Sequence, residues 1–178
     1  MRRSGSSLLA AVGIAAALAV LAACGPRPPD VAAAVASAVR AELPGIPGVS
    51  VRASHSPSGW VLAMRLYVGD ADAGALGPEL LAALGAAADG SPVAIRAVYL
   101  SAALGAPPQE PAEEVFDEAA ALDLAPALDA VGFGDLSPGP TGTLVLDADE
   151  LARIAAGDRT PPKRKGPRWP TSLSPMPT

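Results

Sequence analysis

Apolar residues fall along this chain in three distinct periods, and each predicts a different element. An unbroken apolar run from Leu8 to Ala23 follows the short polar start Met1 to Ser7 and ends at Cys24. Gly25-Pro26-Arg27-Pro28-Pro29 then makes a stiff extended spacer. After it, Val31, Val35, Val39 and Leu43 recur four apart, the spacing of one helix face, with Asp30 placed to cap and Pro44-Gly45 to stop it. From Val49 the period becomes two. Val49, Val51 and Ala53 alternate with polar residues, Ser56-Pro57-Ser58-Gly59 supplies a turn, and Trp60, Leu62, Met64, Leu66 and Val68 share one face of a second strand, which is a hairpin signature.

A loop over Gly69 to Gly77 precedes a helix that Pro78 opens and whose stripe is Leu76, Leu80, Leu81 and Leu84. Val93 to Leu100 forms a third strand, apolar on both faces as a central strand is. Beyond Pro107-Pro108, an acidic helix over Pro111 to Leu122 turns Val115, Phe116, Ala119 and Leu122 inward, and Pro126 interrupts its continuation. Thr143 to Leu146 makes a short strand, and Asp147 with Glu150 makes a capping-box start for a helix ending at Gly157. The pattern predicts an α+β fold: a two-layer sandwich in which a small mixed or antiparallel sheet carries helices mainly on one face. The divisions are a signal peptide over 1–23, Cys24 with its spacer over 24–29, a single domain over 30–157, and a disordered, basic, proline-rich tail over 158–178.

Composition narrows the functional classes. The chain has 178 residues, enough for one domain once leader and tail are set aside, and its aromatics amount to 3 %, so the core must be built of Leu, Val and Ala. The net charge of -5 conceals a segregation along the chain. Glu110 to Glu150 holds eleven carboxylates and no Lys or Arg, while five cations crowd into residues 159–168. A body this acidic does not suit nucleic acid, which is bound through a basic face.

The basic start, the apolar run and the small residues before Cys24 have the organisation of an export signal. Leu21-Ala22-Ala23-Cys24 resembles the lipobox of bacterial lipoproteins. The resemblance covers the first 24 residues and implies cleavage before Cys24, diacylglycerol on its sulfur, and residence on the outer face of the cell membrane. A retained membrane helix fits less well, because 16 residues reach about 24 Å and the hydrocarbon core is roughly 30 Å thick. Two or three acyl chains hold stably where one binds marginally. Cys24 is the single cysteine, so the domain it carries has no disulfide. Arg2-Arg3 invites a twin-arginine reading, but Ser4-Gly5-Ser6 lacks the apolar residues that would follow.

The remaining chemistry is sparse. His55 is the single histidine, placed among turn serines with no nucleophile-elbow pattern, which points to an exposed hairpin residue. Asp70 and Asp72 begin like a calcium loop, yet the spacing to Glu79 is too short, and capping accounts for both. Asp147, Asp149 and Glu150 read the same way, although paired acids could serve glycoside hydrolysis. The sequence thus assigns no catalytic residue, no metal ligand and no cofactor. Lys163, Arg164, Lys165 and Arg168 offer an electrostatic contact for anionic headgroups or an anionic envelope polymer. The expectation is a membrane-anchored envelope lipoprotein whose domain is a non-enzymatic binding or protein-interaction module, touching the membrane through its lipid and an envelope protein or polymer through its surface. The alternatives are a small envelope hydrolase using carboxylates and a solute-binding accessory of a transporter. An apolar patch exposed on the sheet favours the interaction module, and a deep pocket converging acids favours the enzyme.

Overall fold

The computed structural model describes residues 25–108 and 121–160. The first helix, α1 (Pro28–Glu42), starts two residues before Asp30, because Pro28 and Pro29 occupy the first turn, where no N–H is needed. Arg27, not Asp30, is therefore the N-cap, and it contributes no side-chain bond. Val31, Val35, Ala36 and Val39 are its buried stripe. The hairpin follows as expected: β1 (Gly48–Ser56) and β2 (Gly59–Val68) pair antiparallel from Gly48↔Tyr67 to Ser56↔Gly59. The turn closes on Pro57-Ser58, with Gly59 at φ +123°, where a side chain would be strained and would crowd the Arg96 Cβ at 3.2 Å.

Helix α2 (Ala73–Gly90) begins inside the stretch expected to be loop. Asp72 is the N-cap, its carboxylate accepting the Ala75 N–H at 3.1 Å, so Pro78 lies within the helix and does not open it. The helix carries the chain back to lay β3 (Ile95–Leu104) parallel to β2, the crossover that parallel neighbours require. A short helix, α3 (Ala125–Ala130), has Pro126 in its first turn, so this proline helps to open an element it was expected to interrupt. Strand β4 (Leu144–Asp147) pairs antiparallel with β3, and α4 (Ala148–Ala155) follows directly. The sheet is mixed, in the order β1-β2-β3-β4. The fold is α+β, as the periodicity predicts.

Directly paired residues of neighbouring strands share a face, and one face supplies the core: Val49, then Leu62, Met64, Leu66 and Val68, then Val98, Leu100 and Ala102, then Leu144 and Leu146. Helix residues Val31, Val35, Val39, Leu76, Leu80, Leu84, Leu128, Leu151 and Ile154 close over them in the same cluster. Helix α2 is central to this layer and packs against α1, α3 and α4. Two of its glycines set how closely it does so. A Cβ at Gly77 would stand 2.6 Å from the Ala127 carbonyl oxygen, and one at Gly90 would stand 2.3 Å from the Ala38 Cβ.

The acidic helix expected over Pro111 to Leu122 lies, through residue 120, outside the described residues. Its last residue is not helical: the Leu122 N–H donates to the Ala102 carbonyl at 2.8 Å, beside the part of β3 that β4 does not reach. At the other terminus, residues 158–160 are tied back to the domain. Arg153 donates from Nη1 to the Thr160 carbonyl at 2.9 Å, and the Asp158 N–H donates to the Arg153 carbonyl at 2.9 Å. The rest of the expected tail, 161–178, lies outside the described residues.

Candidate functional site

With the helices stacked on one side, the opposite sheet face is built from the alternate residues. Gly48, Ser50, Arg52 and Ser54 come from β1, Val61, Ala63, Arg65 and Tyr67 from β2, Ala97, Tyr99, Ser101 and Ala103 from β3, and Val145 from β4. This face divides across its middle. Toward the C-terminal ends of β2 and β3, Arg65, Tyr67, Ser101 and Ala103 are all buried. Arg65 donates from Nε to the Ser101 hydroxyl at 3.1 Å, its direct neighbour in the ladder, and makes further contact besides. Toward the other end, Tyr99 and Val145 are 43 % and 51 % exposed and stand directly opposite each other, with Val61, Ala63 and Ala97 half-buried beside them. Tyr99 and Val145 thus leave an aromatic ring and a branched side chain side by side in water on this face.

The residues singled out from sequence resolve as follows. His55 is exposed at the hairpin end, and its ring lies 4.8 Å from that of its cross-strand partner Trp60, tilted by 41°. The nearby Ser56 and Ser58 hydroxyls share a hydrogen bond with each other at 2.8 Å, and Ser56 donates to the Gly59 carbonyl at 3.2 Å, a turn-closing set. Asp70 accepts the Asp72 N–H at 3.1 Å, so with Asp72 on Ala75 both aspartates order the entry to α2. Asp147 and Glu150 form a reciprocal capping box at the start of α4, with bonds of 2.8 and 3.0 Å. Among the described residues no group of three or more His, Cys, Asp or Glu could hold a metal ion, and no helix is long and apolar enough to cross a membrane. Cys24, Lys163, Arg164, Lys165 and Arg168 lie outside the described residues.

Sequence reasoning missed two arrangements. One is the Arg65–Ser101 pair, for which the signal was an arginine alternating with Met64 and Leu66 in an otherwise apolar strand. The other surrounds Arg153. Its Nη2 meets the Asp135 carboxylate at 3.0 Å, its guanidinium stands 5.2 Å over the Phe133 ring, and its side chain is only 9 % exposed, with Nε buried and unpartnered. This arrangement fastens the irregular segment after α3 to α4. Nothing in the spacing of residues 135 and 153 announces it.

No protein-family model matches this chain, and neither a curated protein nor a solved structure matches it. The class it defines is therefore the one its own fold gives: an α+β domain with a four-stranded mixed sheet, helices on one face and an apolar strip exposed on the other.

Proposed function

We propose that this chain is an envelope lipoprotein, anchored by lipid on Cys24 at the outer face of the cell membrane, whose domain binds another exported component through the sheet face opposite its helices. The anchor rests on Leu21-Ala22-Ala23-Cys24 at the end of an apolar run of lipobox type. The observation that carries the binding role is the exposed pair Tyr99 and Val145, side by side on β3 and β4. Tyrosine suits such a surface because it offers a large rigid area and a polar tip at small entropic cost. The side-chain carboxylates of Asp72, Asp147 and Glu150 are engaged in capping helices, which favours the interaction module over a carboxylate hydrolase.

Two measurements test the two halves separately. Growth with a tagged fatty acid should label the wild-type protein and not Cys24→Ser, since no other residue can form the thioether; label on the variant, or none on the wild type, refutes the anchor. Gentle cross-linking of intact envelopes should capture a partner whose yield falls when Tyr99→Glu and Val145→Glu are introduced together. The two residues are direct cross-strand partners, so the opposed carboxylates and the lost aromatic–branched pair should cost roughly 1 kcal/mol of stability, and capture is compared on variant protein shown by circular dichroism to be folded. Unchanged capture would remove this face from the binding role.

A further inference from the structure

β1 is a terminal strand of the sheet, and its own hairpin decides which of its backbone groups face outward. The two-residue turn closes on Ser56↔Gly59, and the pair that closes such a turn exchanges both of its N–H···O bonds. Counting back along the ladder, Ser54, Arg52, Ser50 and Gly48 point their N–H and C=O groups at β2, whereas His55, Ala53, Val51 and Val49 point theirs away from it. A separate contact agrees: the Val49 carbonyl accepts a bond from Arg40 Nη2 of α1 at 3.3 Å, so it faces out of the ladder. Among the described residues, the outward groups of Val51, Ala53 and His55 meet no such partner, and these residues are half-buried or exposed. A row of main-chain donors and acceptors left in water is a template for one kind of ligand, an extended polypeptide.

The devices that usually blunt an edge are missing here. β1 is nine residues long, holds no proline and pairs with β2 without a bulge. The opposite edge strand, β4, has four residues and runs directly into α4. Room exists above the β1 edge as well. A Cβ on Gly90 of α2 would meet Ala38 and Ala34 of α1, and at about 100° per residue the other flank of α1 carries Ala32, Ala36 and Arg40. Arg40 reaches Val49 from that flank, which therefore overlooks the edge, and its two alanines leave space for the side chains of an added strand. Charge narrows the ligand further: Arg40 meets a neutral carbonyl, Arg52 is exposed on β1, and β1 contains no Asp or Glu. We propose that the outward edge of β1 binds an extended, acid-bearing segment of another polypeptide, which adds to the sheet beside Val51, Ala53 and His55. A second copy of this chain would bring the same cations to the same edge and is the poorer fit.

This inference is independent of the anchor and of the surface around Tyr99. Its test uses the full chain in detergent and a synthetic peptide, Thr-Val-Glu-Val-Thr-Val-Glu, with amide hydrogen exchange followed by NMR. Without peptide, the amides of Val51, Ala53 and His55 should exchange fast and those of Arg52 and Ser54 slowly. Saturating peptide should slow the first three by roughly tenfold or more, as expected for amides that join a ladder. The same peptide with Lys for Glu should bind roughly tenfold or more weakly, because attraction at two cations becomes repulsion. Ala53→Pro removes only an outward N–H, so it should abolish peptide binding while leaving the urea midpoint nearly unchanged; Ser54→Pro removes a ladder bond and should lower that midpoint clearly. Absence of peptide-induced protection, equal binding of the Lys peptide, binding that survives Ala53→Pro, or equal midpoint losses at 53 and 54 would each overturn the proposal. Slow exchange at 51, 53 and 55 before peptide is added would overturn it too, assigning the edge to a second copy if protection fades on dilution and to the chain itself if it does not.

Discussion

Two glycines of α2 should respond to alanine with opposite signs, although the sequence presents both as helix-interior positions. Helix propensity alone favours Gly→Ala by about 0.8–1.0 kcal/mol at each. At Gly85 a new Cβ meets nothing within 4 Å, so Gly85→Ala should realise most of that gain. At Gly77 the Cβ would lie 2.6 Å from both the Ala127 carbonyl oxygen and the Val131 Cγ1. The backbone oxygen cannot rotate away, so α3 must shift from α2, and overpacking of this kind costs roughly 1–3 kcal/mol. Position 77 also precedes Pro78, and a Cβ before proline disfavours the helical region further. The net expectation is that Gly77→Ala destabilises by about 1–2 kcal/mol and Gly85→Ala stabilises by somewhat less than 1 kcal/mol. Urea unfolding of the three proteins decides it. With a slope of about 1–3 kcal/mol/M, the two variants should separate by roughly 1 M in midpoint, on opposite sides of the wild type. Shifts of the same sign would mean that the close approach of α2 and α3 does not set the tolerance of position 77.

Three further outcomes follow from the polar contacts. Arg153→Met should cost about 2 kcal/mol, since the loss of a charge-assisted bond and of the ring contact outweighs relief of the unpartnered Nε; a double-mutant cycle with Asp135→Asn should give a coupling of about 1 kcal/mol that persists in 1 M salt, and coupling near zero refutes it. Asp147→Ala should cost about 1 kcal/mol by thermal unfolding and Glu150→Ala less, because Glu150 secures only the reciprocal bond; an unchanged melting temperature for Asp147→Ala would show that α4 holds without its box. The Thr160 N–H, donated to Asp158 at 2.9 Å, holds that carboxyl below its usual range, with the Thr160 hydroxyl and Arg153 adding to the effect. Because the folded value is the lower one, the turn is favoured at neutral pH and that contribution is lost as pH falls below about 4; a carboxyl NMR titration should move upward in Thr160→Pro, and superimposable curves would refute the assignment.

The order of elements was legible because amphipathic period is a local property. The four-residue stripe of Val31, Val35 and Val39 can bury itself only as a helix, and the alternation from Val49 to Val68, broken by Ser56-Pro57-Ser58-Gly59, only as a hairpin. The capping box of Asp147 and Glu150 is equally local and was equally readable. Errors fell where prolines have two uses. Pro28, Pro78 and Pro126 were given one role each, as spacer, helix start and helix break, whereas what matters is whether the N–H missing at that position would have been bonded.

The candidate surface was much less legible, because no local rule says which neighbour lies beside a strand or above it. Tyr99 and Val145 are 46 positions apart and meet only because β4 pairs with β3. Arg65 and Ser101 meet through the parallel register that α2 imposes, and Arg153 finds Asp135 only after the segment beyond α3 has folded onto α4. The sequence by itself determined the kinds of elements, their order and the α+β class, all of which depend on spacings of a few residues. The tertiary structure alone decided between a mixed and an antiparallel sheet, by laying β3 parallel to β2, and showed that Tyr99 and Val145 are left facing water on the side away from the helices, since pairing and burial depend on contacts between residues far apart in the chain.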